Sequence, residues 1–398
     1  MFDTSPPPPT SPISPSFISI LYSATIYAFL LFFFKFRDLI PDRRRLYLAC
    51  VVGLVYFFII TSLVKVDTIP PTNFFVFLMI SVVVIAFFSA FGQSGIFQIL
   101  SRIPPVFTAH QMNGQGVAAV VVSLTNIATI WAYPPGDSGS DEETTLAAFI
   151  YFIVATGVMV MAVVLTIVLF RMRLYQYYVY LHEEGKQLQE KDKTIAEAVG
   201  DAPTVAPPYS ETFRQIWPLV LATMATYMVT LSLFPAIVSN ISPVEVESSS
   251  RIFHDLFVPF NFLVFSVGDF LGRWIVARWT IISPRWLLPA SLVRVVFYPL
   301  IILSNVIFYD SSGNPIEPRI PSVLASDPLT WVVIFLLAFT NGQFATLGMM
   351  YSTSEVTEAH KVRASTLSVL GLYTGLLVGS LLSFLIRGVM CQCNPFVS

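Results

Sequence analysis

The sequence predicts an all-α polytopic membrane protein, a helical bundle of about ten transmembrane helices. Of its 398 residues, 55% are hydrophobic and only 12% are charged, whereas soluble domains average about 25% charged residues. The mean hydropathy of the chain is +0.73. Long apolar runs recur along the sequence, each near the length of about 20 residues that a helix needs to cross a bilayer. The alternation typical of a membrane β-barrel is absent.

Ten apolar runs are long enough to be transmembrane helices. They comprise residues 17–34, 46–64, 74–100, 107–133, 146–170, 213–239, 252–277, 286–308, 328–352 and 364–390. The third, the sixth and the last are long enough to cross the bilayer at a tilt.

The connections between these runs divide the chain into five regions. These are a Pro- and Ser-rich tail predicted to be disordered (1–16), an N-terminal bundle of five spans (17–170), a long loop (171–212), a C-terminal bundle of five spans (213–390) and a short tail (391–398). The first part of the long loop is predicted to form an amphipathic helix, and the rest resembles a linker. Two linked helical halves suggest a transporter with its site between them, near the bilayer midplane.

Basic residues are distributed unequally between the two sides of the predicted bundle. Sixteen lie in connections on the side of the 171–212 loop and three on the opposite side, while Arg273, Arg294 and Arg387 fall within spans. Because cytoplasmic loops carry an excess of Lys and Arg, we expect the 171–212 loop to be cytoplasmic and both termini to lie on the other side. The net charge of −2 gives no electrostatic footprint for nucleic acid, so no nucleic-acid partner is expected.

The seventh run contains two opposite charges in the stretch "FSVGDFLGR". Asp269 and Arg273 are four residues apart, so they share one face of a helix. A charge at the bilayer centre costs about 2.5–3.5 kcal/mol even on the lenient insertion scale. The pair is either a structural salt bridge that joins helices or a polar site that faces a water-filled path. The residues alone leave both interpretations open.

Other spans carry amides and small residues. Gln93 lies in "FFSAFGQSG" and Asn341 in "FTNGQFATLG", and either a neighbouring helix or a polar solute would satisfy such buried amides. Gln115 lies between Gly114 and Gly116 in "HQMNGQGVAAV", where small residues allow another helix or a ligand to approach closely. Helix packing explains the glycines but does not explain Gln115.

The stretch "LFPAI" places Phe234 and Pro235 in the sixth run. A proline removes a backbone donor, so we predict that Pro235 kinks this helix. Kinks often act at gates in transporters, although most intramembrane prolines are only structural. Both roles stay open.

Motifs for enzymatic chemistry are absent from the sequence. The four histidines are scattered, no Walker motif occurs, and the spacing of Cys391 and Cys393 is poor for a zinc site. The sequence therefore predicts neither an enzyme, nor a cofactor, nor a metal site.

Three motifs, in this order and spacing, make the chain resemble the equilibrative nucleoside transporter family. "MNGQGVAAVVVS" is similar to the family's Gly-Gln-Gly-x-Ala-Gly helix, and "FSVGDFLGR" is similar to its Phe-Asn-x-x-Asp-x-x-Gly-Arg helix. "TNGQFATLGMMYS" and the following "GLYTGLLVGSLLSFLIRG" resemble its closing pair of helices. The similarity extends from about residue 17 to residue 390.

The resemblance implies a bundle similar to the major facilitator superfamily, with eleven spans and a large cytoplasmic loop after the sixth. Here the loop follows the fifth span, so the five preceding spans correspond to family helices two to six, and the family's first helix has no counterpart. The implied function is facilitative transport of purine or pyrimidine nucleosides by alternating access, with proton coupling left open. A carrier of another small polar solute, such as a sugar, and a truncated non-transporting member remain alternatives. A plasma membrane and a vacuolar or lysosomal membrane both fit.

The resemblance also implies roles for individual residues. Asp269 and Arg273 would engage the ribose hydroxyls, and Gln93 would contact the nucleobase. Ser266 stands where the family has asparagine, and Ser89 falls at a position tied to inhibitor sensitivity. The complete set of substrate-binding candidates is Gln93, Ser266, Asp269, Arg273 and Asn341. The candidates for helix packing and gating are Ser89, Gly114, Gln115, Gly116, Phe234, Pro235 and Gly272.

Overall fold

A computed structural model of the chain describes residues 15–35, 40–64, 71–133, 141–181, 184, 208–245, 250–309, 315–316 and 320–391. These residues are predominantly helical. The helices are α1 (Pro15–Lys35), α2 (Asp42–Leu63), α3 (Pro71–Leu100), α4 (Val106–Ala132), α5 (Asp141–Arg171), α6 (Tyr209–Leu233), α7 (Phe257–Val276), α8 (Pro284–Val293), α9 (Phe297–Ile302), α10 (Asp327–Ser354) and α11 (Glu358–Cys391). Two short strands, β1 (Phe308–Tyr309) and β2 (Pro315–Ile316), pair antiparallel between α9 and α10.

Eight of the described helical segments are long and apolar enough to cross a membrane. They are Asp42–Leu63, Val76–Leu100, Val106–Ala132, Ala148–Arg171, Tyr209–Asn240, Pro284–Ile302, Asp327–Ser354 and Glu358–Cys391. The two remaining predicted spans are α1, which has a shorter apolar stretch at Ile20–Phe32, and α7, whose 20 residues include Asn261, Asp269 and Arg273. The prediction of an all-α polytopic membrane protein is therefore confirmed.

Helix α10 forms the centre of the C-terminal half. Every residue from 341 to 353 is buried, as expected for a helix that neighbours surround on all sides. Apolar side chains of α6, α7 and α9 complete this core, among them Leu233, Phe257 and Ile301. Helix α5, by contrast, leaves Val160, Met161 and other large apolar side chains exposed, as suits a surface that faces lipid.

The two halves meet along two sets of helices. Helix α4 packs against α7 and α10, and α1 and α3 pack against α11. On the second contact, Ser365 Oγ of α11 donates a hydrogen bond of 2.9 Å to the Phe97 carbonyl of α3. The first contact contains the polar residues that the sequence singles out, because α7 carries Asp269 and Arg273 and α10 carries Asn341.

The prediction that Pro235 kinks the sixth helix is wrong, because α6 ends before it, at Leu233. The Phe234–Pro235 peptide bond is cis, and the chain continues into a 3₁₀ turn at Val238–Asn240. Phe234 has extended backbone angles, φ −113° and ψ 132°, which are those that a following proline favours. The proline therefore terminates the helix instead of bending it.

The predicted eighth span, 286–308, is not one continuous helix. Helix α8 ends at Val293, a 3₁₀ turn covers Arg294–Val296, and α9 ends at Ile302. Pro299 lacks the N–H that would bond to the carbonyl four residues earlier, which explains why regular α-helix is interrupted here. Arg294 begins this 3₁₀ turn, and its side chain is buried.

The remaining regions agree in part with the prediction. Helix α1 begins at Pro15, within the predicted tail, and most of both tails lies outside the described residues. In the 171–212 loop, residues 173–181 are helical, and α6 begins at Tyr209.

Candidate nucleoside-binding site

Asp269 and Arg273 form an ion pair on one face of α7. Arg273 Nε donates to Asp269 Oδ2 at 2.7 Å, and Nη2 lies 3.4 Å from Oδ1. Only 6% of Asp269 and 5% of Arg273 is exposed. Two parallel contacts between a guanidinium and a carboxylate are charge-assisted and fix the orientation of both groups. The helical spacing predicted from the sequence therefore gives a direct contact.

The third nitrogen of Arg273 reaches α4, in the other half of the molecule. Nη1 lies 3.3 Å from the Met112 carbonyl oxygen and 3.5 Å from Gln115 Oε1. The close approach depends on Gly116, where a Cβ atom would lie 2.9 Å from the Phe270 Cα atom of α7. The structure thus brings Gln115 to the ion pair and uses Gly116 for helix packing.

On the opposite side, α10 supplies an amide to the carboxylate. Asn341 Nδ2 donates to Asp269 Oδ1 at 2.8 Å. The backbones of α7 and α10 touch here, because a Cβ atom on Gly272 would overlap the Phe339 carbonyl and one on Gly342 would overlap the Asp269 carbonyl. Gly272 therefore packs against the backbone of α10. Asp269, Arg273 and Asn341 lie together at this contact.

Ser266 joins α7 to α4 but does not contact the ion pair. Its hydroxyl lies 2.8 Å from Ser123 Oγ of α4 and donates to the Phe262 carbonyl of its own helix at 2.9 Å. Ser266 is nearly one turn before Asp269. It therefore forms a second polar contact between the two halves.

Gln93 and Ser89 lie on α3, and no hydrogen bond between described residues joins either of them to the ion pair. Gln93 is half-buried and makes no side-chain hydrogen bond to another described residue. Ser89 lies one turn earlier, near the Tyr22 side chain.

The packing role predicted for Gly114 is wrong. Gly114 is exposed, and a Cβ atom there would meet nothing within 4 Å. Successive residues are about 100° apart around a helix, so Gly114 points away from the α7 contact that Gly116 makes. Gly114 instead lines an apolar groove between α4 and α5, together with Val121 and Val158.

Phe234 packs against α7 at the end of α6. Its ring stacks on Phe265 with a centroid distance of 3.7 Å and an interplanar angle of 4°, and it meets Phe262 edge-on at 4.8 Å. Pro235 follows directly. These aromatic contacts lie next to Ser266, so Phe234 is placed beside the polar face of α7.

Sequence reasoning missed two residues that extend the polar network. Thr230 Oγ1 of α6 lies 2.8 Å from Asn341 Oδ1, and Arg294 Nη2 donates to Thr230 Oγ1 at 2.7 Å. The signal for Arg294 was present, since a cation within an apolar span indicates a functional position. Thr230 gave no such signal, because threonine is ordinary in a transmembrane helix.

The groups of this site are suited to binding through hydrogen bonds. Asp269 accepts hydrogen bonds, whereas the Arg273 guanidinium only donates, and the amides of Gln115 and Asn341 can do both. The described residues contain no group of three or more His, Cys, Asp or Glu side chains placed to hold a metal ion. The arrangement suits a small polar solute with adjacent donors and acceptors.

Comparisons with known proteins identify the family to which the chain belongs. The family model for nucleoside transporters matches residues 79–388. Equilibrative nucleoside transporter 1 of Homo sapiens is 29% identical over 414 residues, which cover 97% of this chain and 85% of the relative. The protein of the same name from Rattus norvegicus is 31% identical over 360 residues, covering 85% of this chain and 74% of the relative.

A further relative is Equilibrative nucleoside transporter 2 of Homo sapiens, which is 27% identical over 385 residues, covering 88% of this chain and 80% of the relative. The range matched by the family model includes the whole of α4, α7 and α10, and therefore the ion pair and its contacts. The chain belongs to the nucleoside transporter family.

Proposed function

We propose that the chain is a facilitative carrier that moves purine or pyrimidine nucleosides by alternating access, with Asp269 and Arg273 as its ribose-binding pair. One observation carries the proposal: the ion pair is buried where α4 of the N-terminal half meets α7 and α10 of the C-terminal half. A relative movement of the halves would break the contacts of Arg273 with Met112 and Gln115, and so expose the pair.

A ribose suits this pair chemically. The Asp269 carboxylate can accept from vicinal hydroxyls, and the Arg273 guanidinium can donate to their oxygens. In the closed arrangement the two groups satisfy each other, and a substrate with both donors and acceptors can replace those bonds without leaving a buried group unpaired. Unpaired buried groups would cost the full desolvation penalty. Gln93, which lacks a hydrogen-bonding partner among the described residues, is the proposed contact for the nucleobase.

Facilitated transport needs no energy source besides the substrate gradient. Binding must be of similar strength in the inward- and outward-facing states, since a ligand shifts an equilibrium only by its differential affinity. We therefore propose no ATP requirement and no catalytic step. A plasma membrane or a vacuolar or lysosomal membrane suits such a carrier, and imaging of a fluorescent fusion would distinguish them.

The test is uptake of radiolabelled uridine into proteoliposomes that contain the purified chain. We expect saturable uptake that unlabelled nucleosides inhibit and that sugars and amino acids do not. Inhibition by sugars alone would favour the other-solute alternative, and uptake no faster than in protein-free liposomes would favour a non-transporting protein. An imposed pH gradient tests proton coupling, because only a coupled carrier would accumulate uridine above the external concentration.

A further inference from the structure

Arg294 is a buried cation that forms no ion pair with any acidic side chain of the described residues. It is 2% exposed. Its guanidinium donates to neutral oxygens: the carbonyls of Thr226 and Leu337 and the hydroxyls of Thr230 and Thr340. A buried charge of this kind is costly, and apolar residues of similar volume often replace buried charges without loss of stability. Stability alone therefore gives no reason for an arginine here.

A chain of three hydrogen bonds connects Arg294 to the proposed binding pair. Arg294 Nη2 donates to Thr230 Oγ1 at 2.7 Å, Thr230 Oγ1 lies 2.8 Å from Asn341 Oδ1, and Asn341 Nδ2 donates to Asp269 Oδ1 at 2.8 Å. The four side chains come from four elements: the 3₁₀ turn after α8, α6, α10 and α7. Each of them is at most 6% exposed, so water does not compete along the chain.

Arg294 also determines which way the Thr230 hydroxyl points. That hydroxyl has one proton and two acceptors within reach, Asn341 Oδ1 and the Thr226 carbonyl, which is 2.9 Å away. A carbonyl oxygen has two lone pairs. In a regular helix, the backbone N–H of Thr230 takes one of those on Thr226, and Arg294 Nη1 takes the other. The hydroxyl proton is therefore directed to Asn341.

The direction of the Thr230 hydroxyl proton determines the orientation of the Asn341 amide. With its Oδ1 atom receiving the Thr230 proton, its Nδ2 atom faces Asp269, which as a carboxylate can only accept. The amide then holds the Oδ1 oxygen of Asp269, the same oxygen that Arg273 Nη2 approaches at 3.4 Å. The orientation of the carboxylate thus depends on a cation three hydrogen bonds away.

We propose that Arg294 and Thr230 are positioning residues that orient Asp269 for substrate binding through Asn341. The inference rests on the proposed function, because it assumes that the Asp269 carboxylate accepts hydrogen bonds from the nucleoside. Neither residue needs to touch the substrate.

The test compares the KM for radiolabelled uridine uptake of two variants, Thr230→Val and Thr223→Val, in proteoliposomes of the full chain. Both replace a buried threonine of α6 by a residue of nearly the same shape. Among the described residues, the Thr223 hydroxyl donates only to the Leu219 carbonyl of its own helix, at 3.0 Å, so Thr223→Val is a matched control. We expect Thr230→Val to raise the KM by about ten-fold with little change in Vmax, and Thr223→Val to leave the KM unchanged.

A conservative variant separates the hydrogen bond from packing. Thr230→Ser retains the hydroxyl and should keep the KM near that of the unaltered chain, whereas Thr230→Ala should raise it. This comparison also tests the positioning role of Thr230 if the valine variant is not incorporated into vesicles. An equal KM for the serine and alanine variants would overturn the positioning role.

Asp269→Asn, measured in parallel, distinguishes failure of the proposed function from failure of the positioning role. An unchanged KM in Asp269→Asn contradicts the proposed function, and the positioning role falls with it. A raised KM in Asp269→Asn with an unchanged KM in Thr230→Val overturns the positioning role alone. Equal rises in Thr230→Val and Thr223→Val overturn it as well, because a general weakening of α6 then explains both.

Discussion

At the scale of single residues, the guanidinium of Arg273 joins two helices at the proposed site. It binds Asp269 on its own helix and the Met112 carbonyl and Gln115 on α4. The sequence was sufficient to predict the ion pair, because two charges four residues apart in an apolar run share a helix face. It was insufficient to predict the contacts between α4 and Arg273, since those depend on how two distant helices pack.

The planar shape of the Arg273 guanidinium, in addition to its charge, should be necessary for efficient uridine uptake. Arg273→Lys keeps the positive charge but replaces a planar group with several donors by a single ammonium, which cannot reach Asp269 and α4 together. We expect the uptake efficiency for uridine, Vmax/KM, to fall at least about ten-fold while expression is retained. Arg278→Lys is the control, because Arg278 is exposed and stacks on Trp274 with 4.1 Å from Cζ to the ring centroid. Equal uptake efficiencies for Arg273→Lys and Arg278→Lys would contradict the proposal that the Arg273 guanidinium must contact Asp269 and α4 together.

At the scale of elements, the contact between α7 and α10 depends on glycines. Gly272 and Gly342 let the two backbones touch, and this places Asn341 beside Asp269. The sequence predicted the position of most helices because apolar runs determine them. It did not predict how the Pro235 and Pro299 segments end or interrupt their helices. A proline limits the local backbone, but the packing around it decides whether a helix bends or stops.

Substitution of the packed glycine should destabilise the protein, and substitution of the exposed glycine should not. Gly272→Ala forces a methyl group against the Phe339 carbonyl, and overpacking of this kind typically costs about 1–3 kcal/mol. Gly114→Ala adds the same methyl group in open space and improves helix propensity. We expect a lower melting temperature in detergent for Gly272→Ala and an equal or higher one for Gly114→Ala. A melting temperature for Gly272→Ala equal to that of the unaltered chain would show that α7 and α10 are not closely packed.

At the scale of the whole molecule, two helical halves meet at the polar residues of α4, α7 and α10. The sequence predicted the all-helical membrane class and the family, and both are confirmed. It also predicted a site between the halves, on the basis of the long central loop. The network from Arg294 to Asp269 was beyond sequence reasoning, because Thr230, Arg294 and Asn341 are far apart in the chain and meet only through tertiary packing.

Alternating access requires the halves to move apart at the site. Ser123 Oγ of α4 and Ser266 Oγ of α7 are 2.8 Å apart, so cysteines at both positions are close enough for a disulfide. In a variant without native cysteines, we expect oxidation of Ser123→Cys/Ser266→Cys to block uridine uptake and reduction to restore it.

A matched pair within one half provides the control. Thr61 Oγ1 of α2 and Thr156 Oγ1 of α5 are 3.0 Å apart, so Thr61→Cys/Thr156→Cys links helices that move together. Its oxidation should leave uptake intact. Undiminished uptake through a chain with the Ser123–Ser266 positions linked would rule out separation of α4 from α7 during transport.

The most direct test of ribose binding by Asp269 and Arg273 is equilibrium binding of uridine and of 2′,3′-dideoxyuridine, which lacks the vicinal 2′- and 3′-hydroxyls. If Asp269 and Arg273 bind the ribose, the unaltered chain binds uridine about ten-fold or more tightly than the dideoxy compound, since a site built for hydroxyls rejects an analogue without them. Asp269→Asn should then remove most of this preference. Equal affinity of the unaltered chain for the two compounds, or a preference that Asp269→Asn leaves intact, would contradict the assignment of this pair to the ribose.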